Sequence, residues 1–433
     1  MPLIVSRRKH LLFRKGKRGI RRGSPSAIAE TGLQIVGATG HFPNDVLDIS
    51  AGTKTMAQCR WPFRLGGDCS YLVFAFDNNR IGAAGVAADA GQALTIVQCA
   101  IEQDNPAQTV AVKFGGQTSQ VLSAGANNIQ SDTIMPGSFG LTKFSADAKY
   151  WVRIKISVAS ATEFLIGPVV NSVTGAKFVY YDPSNDNDTI LNTGALPNPT
   201  GSTGNNYGYG PSAILGQYID RNSPAVIAVG DSLTYGNAES SGWPMTGLGF
   251  FSRAVMDSNE ENVFASMKIA KGGSTLANLL AHTKMQTYFQ YANVVSIFLG
   301  TNDIGTAGTG NLTTLIANFR SLCATARTSR VRKIFGVELW PRATSANGFI
   351  DPDDQVYVTD WGLGGKSEYF NASLRSMVGS DINGTFDATV LRRSENALHW
   401  AVGVTTDDTH PNSAGHALVA AEYRTDILQK LGL

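Results

Sequence analysis

Apolar and polar residues alternate along much of the first 180 residues, in the pattern typical of antiparallel strands. From Tyr150 to Val158 every second residue is apolar, while Arg153 and Lys155 fall on the other face. This period of two predicts a half-buried strand. Several short strands separated by Gly- and Asn-rich turns predict an all-β sandwich, jelly-roll-like, over residues 24–182. The other apolar runs of this region lie at 71–76, 94–101, 110–114 and 178–181.

The pattern changes twice after residue 182. Residues 183–222 are dominated by Gly, Pro, Asn, Ser and Thr, which predicts a linker or a long crossover loop. From residue 223, short apolar runs that suit a parallel sheet alternate with helical stretches such as Leu312–Ala326 and Ser413–Leu431. This alternation predicts a three-layer, doubly wound α/β domain over residues 223–433. Its apolar runs lie at 225–229, 264–270, 294–299 and 334–339.

Charge is distributed unevenly along the 433 residues, of which 43% are hydrophobic and 16% charged. Residues 1–22 hold nine of the 36 basic residues and no acid, which leaves 27 basic against 34 acidic residues in the rest. A basic arm over residues 1–23 predicts a solvated tail, with docking to an acidic partner or to nucleic acid as the alternative. The arm lacks the apolar run of a signal peptide. No stretch is apolar enough to span a membrane, so we expect no membrane association.

Four cysteines occur, at positions 59, 69, 99 and 323. Cys59 and Cys69 are close enough in sequence to pair, although free buried thiols suit the pattern equally well. Their spacing fits no zinc motif, and no other cluster has metal-ligand spacing. We therefore expect neither a metal nor a cofactor.

Four short motifs follow the predicted strands of the α/β domain. Ser232 stands in Gly-Asp-Ser-Leu directly after the first strand, and Gly272-Gly273 follows the second. Asn302 stands in Gly-Thr-Asn-Asp after the third strand, and His410 opens the last helix. Parallel strands end at one edge of a sheet, so these groups are expected to meet there. A serine in such a turn also fits a helix N-cap, but all four motifs in this order favour a catalytic site.

Residues 225–433 resemble the SGNH hydrolase superfamily, whose members are also called GDSL esterases and lipases. The resemblance rests on Gly-Asp-Ser-Leu at 230–233, Gly-x-Asn-Asp at 300–303 and Asp-x-x-His-Pro at 407–411. It implies that Ser232 is a nucleophile activated by His410 as general base. Asp407 would orient the imidazole, with Asp408 or a backbone carbonyl as alternatives.

The resemblance also implies an oxyanion hole, the set of donors that stabilises the negative oxygen of the intermediate. Its members would be the N–H of Ser232, the N–H of Gly273 and the side-chain amide of Asn302. Gly272 is the alternative to Gly273. Two acids of the motifs are expected to brace loops rather than react: Asp231 and Asp303.

Other residues compete for roles near the site. Three histidines lack the Asp-x-x-His-Pro context and are weak candidates for the base: His282, His399 and His416. Trp243 and Trp340 suit either a substrate cleft or core packing. The irregular segment 342–367 suits a lid over the cleft.

SGNH enzymes with an N-terminal β-sandwich resemble carbohydrate esterases that remove O-acetyl groups from polysaccharides. We therefore expect a serine esterase acting on an acetylated polysaccharide or another small ester. The basic arm without a signal peptide and the Gly-, Asn- and Thr-rich front also resemble phage tail proteins, which favours a location outside the cell or on a virion. Two alternatives stay open: a general short-chain esterase or lipase, and a glycan-binding virion protein whose esterase site is vestigial. Oligomeric state is not indicated, and nucleic acid is not expected as a partner.

Overall fold

A computed structural model of the chain describes residues 32–38, 40–49, 52–160, 163–167, 174–220, 223–239, 247–257, 259, 263–305, 310–328, 330–394 and 396–431. The predicted basic arm and Trp243 lie outside these residues. Below, "front region" means residues 32–220 and "α/β region" means residues 223–431.

Strands and helices are numbered in chain order. The strands are β1 (Gln34–Ile35), β2 (Gly37–Ala38), β3 (Gly40–His41), β4 (Asp45–Asp48), β5 (Met56–Leu65), β6 (Cys69–Phe76), β7 (Asn79–Ile81), β8 (Ala87–Asp89), β9 (Leu94–Gln103), β10 (Gln108–Val112), β11 (Gln120–Leu122), β12 (Ile129–Gln130), β13 (Tyr150–Val158), β14 (Glu163–Ile166), β15 (Lys177–Tyr181), β16 (Thr203–Gly204), β17 (Ala213–Tyr218), β18 (Ala225–Gly230), β19 (Ala265–Ala270), β20 (Val294–Phe298), β21 (Lys333–Val337), β22 (Ala343–Ser345), β23 (Gln355–Tyr357) and β24 (Gly384–Phe386). The α-helices are α1 (Ser232–Tyr235), α2 (Gly249–Val255), α3 (Leu276–Ala281), α4 (Thr283–Gln286), α5 (Thr301–Ile304), α6 (Leu312–Ala326), α7 (Lys366–Ser376) and α8 (Ser413–Leu431). Short 3-10 helices lie at Ala83–Gly85, Pro136–Phe139, Pro183–Asn185, Thr287–Tyr291, Pro352–Asp354 and Thr389–Leu391.

The α/β region is built on a parallel sheet of six strands in the order β24-β21-β20-β18-β19-β3. Strands β18 to β21 are almost wholly buried, as their continuous apolar runs predict. Without β3, the order is 2-1-3-4-5 in chain sequence, which is the flavodoxin-like doubly wound order. The predicted α/β fold with a parallel sheet is confirmed.

Helices cover both faces of this sheet. The ring of Phe335 in β21 lies 5.8 Å from the Lys430 ammonium of α8. At the next residue, Gly336, a Cβ would lie 3.3 Å from the Phe319 ring of α6. Successive residues of a strand face opposite sides, so α8 and α6 lie on opposite faces. Helix α2 packs with α8, while α3 and α7 pack with α6. The region therefore has three layers.

The front region consists of antiparallel sheets, as predicted. The largest sheet has the order β10-β9-β13-β5-β15-β16, with β11 and β2 also paired to it, and a second has the order β1-β17-β6-β12. Two smaller sheets pair β14 with β4 and β7 with β8. Phe63 of β5 meets Phe74 of β6 edge to face at 6.0 Å, so the two larger sheets pack face to face around an aromatic core. Residues 183–222, predicted as a linker or crossover loop, contribute β16 and β17 to these sheets.

One expectation about β13 is wrong. The strand spans Tyr150–Val158 as predicted, but its polar face is not exposed: Arg153 is fully buried and Lys155 is 3% exposed. The segment after β15 covers this face, and Arg153 donates to the carbonyls of Thr189 and Ile190 at 2.8 Å. Glu102 of β9 accepts from Arg153 Nη1 at 2.8 Å. Alternation in the sequence identified the two faces but could not show that a later segment covers the charged one.

The front region also completes the parallel sheet. β3 pairs with β19, Gly40 opposite Met267 and His41 opposite Lys268. Next to it, Asn44 donates from Nδ2 to the carbonyl of Ala270 at 3.0 Å. Residues 31–433 form one compact unit; the predicted boundaries at residues 182 and 222 stay a prediction.

All four cysteines are free and buried. Cys59 and Cys69, the candidate pair, lie in β5 and β6, which belong to different sheets. The alternative of free thiols is the one that the structure shows.

Candidate active site

The nucleophile candidate, Ser232, stands at the turn between β18 and α1. Asp231 caps this short helix, since its Oδ1 accepts from the Leu233 N–H at 3.0 Å. Gly230 is required by packing, because a Cβ there would lie 1.9 Å from Thr234 Oγ1. The helix ends at Gly236, whose φ of 102° suits glycine. The sequence Gly-Asp-Ser-Leu therefore fixes a tight turn that holds Ser232 at the carboxyl end of the central strand.

A chain of hydrogen bonds connects Ser232 to two residues of the last motif. Ser232 Oγ lies 2.9 Å from His410 Nε2, and His410 Nδ1 lies 3.0 Å from Asp407 Oδ2. The other Asp407 oxygen accepts from the N–H groups of Thr409 at 2.8 Å and His410 at 2.5 Å. This is the arrangement of a nucleophile, a base and an orienting acid.

The Asp407 carboxylate is strongly stabilised in its charged form. Partial burial acts to raise its pKa, but hydrogen bonds from the His410 side chain and from the two backbone N–H groups outweigh burial and lower the pKa to about 2. Asp408, the alternative orienting acid, accepts instead from Thr409 Oγ1 at 2.6 Å. The geometry thus places Asp407, not Asp408, against the imidazole.

The three expected oxyanion donors lie on neighbouring loops. Among the bonds of the described residues, the N–H groups of Ser232, Gly272 and Gly273 have no acceptor. Gly273 has a φ of 78°, which suits glycine, whereas a Cβ on Gly272 would lie 3.9 Å from Ser232 Cβ. Gly272 is thereby placed near the nucleophile, and the choice between the two glycines stays open.

Asn302, the third expected donor, is held from two sides. Its Nδ2 donates to the Ser274 carbonyl at 3.0 Å and approaches Asp231 Oδ2 at 3.3 Å. The second contact is longer than a usual N–H···O bond, so this N–H is only weakly bonded to Asp231. Asn302 therefore joins the nucleophile turn to the loop of the glycine pair.

The two other acids of the motifs brace loops, as expected. Both Asp303 oxygens accept from the N–H of Leu276 at the start of α3. Burial raises the pKa of Asp303 to about 6, against the opposing effect of the backbone N–H bonds. Burial likewise raises the pKa of Asp231 to about 7, opposed by the Leu233 N–H and the charge of His410.

The other candidate histidines are engaged elsewhere. His282 is buried and its Nε2 lies 3.1 Å from the carbonyl of Arg80. His399 packs against the ring of Tyr357 at 4.9 Å. His416 is buried with Nε2 3.0 Å from the Asn237 carbonyl. Among the described histidines, His410 is the one that contacts the Ser232 hydroxyl.

Trp340 and the segment 342–367, the candidates for cleft wall and lid, both pack against other parts of the α/β region. Trp340 is 2% exposed and stacks at a tilt on Phe298, with ring centroids 4.6 Å apart, so core packing is the alternative that the structure shows. Within the segment, β22 and β23 form a hairpin, and Arg393 donates to the carbonyls of Phe349 and Ile350 between them. The segment's role as a lid stays a prediction.

Sequence reasoning missed the contribution of the front region and of a buried lysine. The carbonyl of Ala84, in the turn after β7, accepts from the Thr275 N–H at 3.1 Å and so holds the loop that carries the glycine pair. Lys268 of β19 donates to the carbonyls of Tyr235 and Leu248 at 3.1 and 2.7 Å. Burial lowers the pKa of Lys268 to about 7. No motif marked these residues; the buried position of Lys268 in an apolar strand was the only signal.

Within the described parts of the chain, no group of three His, Cys, Asp or Glu side chains could hold a metal ion. No helix in those parts is long and apolar enough to cross a bilayer.

Comparison with known proteins places the α/β region in a family. Residues 228–418 match the model of the GDSL-like lipase/acylhydrolase family. No curated protein matches the chain.

Solved structures with similar folds include an acetylxylan esterase from Geobacillus stearothermophilus, 17% identical with a TM-score of 0.35, covering 48% of this chain and 94% of the other. They also include a GDSL-like lipase from Bacteroides thetaiotaomicron, 18% identical with a TM-score of 0.36, covering 49% and 91%. The family match and the parallel sheet agree: the C-terminal half of this chain is a GDSL-like lipase/acylhydrolase domain of the SGNH type.

Proposed function

We propose that Ser232, His410 and Asp407 form the catalytic triad of an esterase that removes O-acetyl groups from a polysaccharide. The observation that carries the proposal is the unbroken chain of contacts at 2.9 and 3.0 Å from the serine hydroxyl to the aspartate. A serine hydroxyl is a weak nucleophile at neutral pH and needs such a base.

In the proposed reaction, Ser232 Oγ attacks the ester carbonyl while its proton passes to His410 Nε2. Asp407 stabilises the imidazolium that results. When the carbon–oxygen bond to the alcohol breaks, His410 returns the proton to the leaving oxygen, and the acyl group stays on the serine. Water then attacks the acyl group with His410 again as the base, which releases the acid and restores the serine.

The negative oxygen of each intermediate needs fixed donors. The backbone N–H of Ser232, the N–H of one glycine of the 272–273 pair and the Asn302 amide are positioned on three adjacent loops. Loss of one such donor costs about 10²- to 10³-fold in rate in other serine hydrolases.

Two observations support a polysaccharide ester over a long-chain lipid. A β-rich region in front of the catalytic domain is also the domain order of carbohydrate esterases, and this support is an argument by analogy. The wall of the cavity beside the turn that carries Ser232 includes the polar side chains of Asn44, Asp45, Asn237 and Lys271, which can bond the hydroxyl groups of a sugar. A general short-chain esterase remains the second candidate, since the triad itself does not select the alcohol.

The test is acetate release from p-nitrophenyl acetate and from an O-acetylated polysaccharide. Ser232→Ala should lower kcat on both by at least about 10³-fold, as loss of a covalent nucleophile does. Ser321→Ala is the matched control, because that serine lies exposed on α6 and bonds only within its helix. Activity on p-nitrophenyl acetate alone would favour the general esterase. A wild-type protein that is inert on both esters, or an active Ser232→Ala, would contradict the triad.

A further inference from the structure

A cavity of about 310 Å³ lies beside the nucleophile turn, between the α/β region and the front region. The α/β region supplies Tyr235, Asn237 and the Lys271-Gly272 pair to its wall. On the opposite side, the front region supplies Asn44 and Asp45 at the start of β4, Ile166 at the end of β14, and Tyr207. Its volume is at the lower end of the range for small-molecule pockets, about 300–1,000 Å³.

The cavity is close to the proposed reacting serine. Gly272 belongs to its wall, and a Cβ on this glycine would lie 3.9 Å from Ser232 Cβ and 3.6 Å from Asn237 Nδ2. The Asn237 N–H also donates to the Ser232 carbonyl at 3.0 Å. A group bound in the cavity is therefore adjacent to an ester held at Ser232.

The wall offers both donors and acceptors. The side-chain amide of Asn237 has no protein partner among the described residues. Asn44 uses Nδ2 for the Ala270 carbonyl and keeps its side-chain oxygen as an acceptor. Asp45 and Lys271 form an ion pair at 2.8 Å. An amide, a carboxylate and an ammonium group can bond several hydroxyl groups of one ligand.

The same wall carries two aromatic rings and no net charge. Tyr207 and Tyr235 both line the cavity. Burial, and then the neighbouring Tyr207 side chain, raise the pKa of Tyr235. Because Asp45 neutralises Lys271, the wall does not favour an anionic ligand. Rings beside polar groups suit a ligand with an apolar face and a hydroxylated rim.

We propose that this cavity is a subsite for one uncharged sugar ring, the ring whose ester oxygen is released at Ser232. The inference rests on the proposed esterase function and specifies its substrate: a neutral glycan is recognised jointly by the two regions. Tyr207 would pack on the sugar face, while Asn237 and the Asp45–Lys271 pair would bond its hydroxyl groups. The front region is then part of the substrate site.

The test compares two acetate esters that differ in the alcohol: methyl 6-O-acetyl-glucoside and ethyl acetate. The measured quantity is the ratio of their kcat/KM values. We expect wild type to prefer the glucoside at least about tenfold, and Tyr207→Ala to reduce this ratio by about tenfold, the scale of one lost ring contact. Tyr369→Ala is the matched control, because that tyrosine is 59% exposed on α7; its ratio should equal that of wild type.

Folding of each variant is checked by circular dichroism and thermal unfolding. If Tyr207→Ala does not fold, Asp45→Ala replaces it, since Asp45 is exposed and its loss removes the ion pair without cutting into the core. A wild type that hydrolyses ethyl acetate without preferring the glucoside would overturn the subsite but not the esterase. A folded Tyr207→Ala or Asp45→Ala variant with the wild-type ratio of kcat/KM values would also overturn the subsite but not the esterase. A wild type that is inert on both esters and on p-nitrophenyl acetate would overturn the proposed function itself.

Discussion

Replacing Asp407 by asparagine tests the orienting acid with little change in shape. The carboxylate lies 3.0 Å from His410 Nδ1, and the two side chains are 44% and 21% exposed. Unit charges about 4 Å apart attract by ~4 kcal/mol at an effective dielectric of 20 and by ~1 kcal/mol in water. A half-exposed pair lies between these limits, at about 2–3 kcal/mol.

In the proposed mechanism, that energy stabilises the imidazolium formed when Ser232 gives up its proton, so its loss should lower kcat by about 30- to 150-fold. The amide adds a second effect, because its NH₂ group can donate to His410 Nδ1. The imidazole proton would then sit on Nε2 and face the serine, the wrong tautomer for a base; in a buried triad this change costs about 10⁴-fold. For this partly exposed site we expect a loss in kcat of about 10²- to 10³-fold, with KM little changed.

The assay is steady-state hydrolysis of p-nitrophenyl acetate, with Asp408→Asn as the control. Asp408 has the same chemistry one residue away but bonds Thr409 Oγ1 instead of the imidazole. We expect its kcat to stay within about threefold of wild type, as for a group outside the reaction. A loss below about tenfold for Asp407→Asn would refute the calculation. A larger loss for Asp408→Asn than for Asp407→Asn would show that the acid is misassigned.

Two further predictions concern stability. Glu102→Ala leaves the buried guanidinium groups of Arg60 and Arg153 without their shared carboxylate, so the free energy of unfolding in urea should fall by about 3–5 kcal/mol; a fall below about 1 kcal/mol would show that the cluster relaxes into water. Burial is the main cause that lowers the pKa of His416 from 6.5 to about 4. Between pH 4 and 6.5 the folded state therefore binds fewer protons than the unfolded state. The contribution of His416 is complete above pH 6.5 and is lost as pH falls to 4, so His416→Gln should reduce the loss of stability between pH 7 and 4 by about 3 kcal/mol. Equal losses in wild type and variant, measured by urea unfolding at both pH values, would contradict this assignment.

The sequence was most informative where local rules decide structure. Helix α6 spans Leu312–Ala326 and α8 spans Ser413–Leu431 in the structure as in the prediction, because helical periodicity is a property of neighbouring residues. The motif around Ser232 likewise combines a strand end, a glycine turn and a cap within seven residues. The contacts of His410 with Ser232 and Asp407 are those that the resemblance to the SGNH superfamily implies.

The remainder depends on contacts between distant segments, which carry no periodic signal. β3 is two residues long, and nothing in Gly40-His41 indicates a parallel partner in β19. β17 follows a stretch rich in Gly and Asn and pairs with β6 through tertiary contacts alone. The burial of Arg153 depends on a covering segment some 36 residues later in the chain. Pairing and coverage of this kind are set by the whole fold rather than by local preference.

The pairing of β3 with β19 has a consequence for the order of folding. The bond from Asn44 to Ala270 closes a separation of 226 residues, and contacts of such separation form slowly because the intervening chain must first be confined. During synthesis β3 emerges long before its partner, while β19 can pair with β18 as soon as both are made. We expect the central strands to assemble first, with the outermost strand added last. Pairing of β3 with β19 would then be the late step that completes this edge of the sheet.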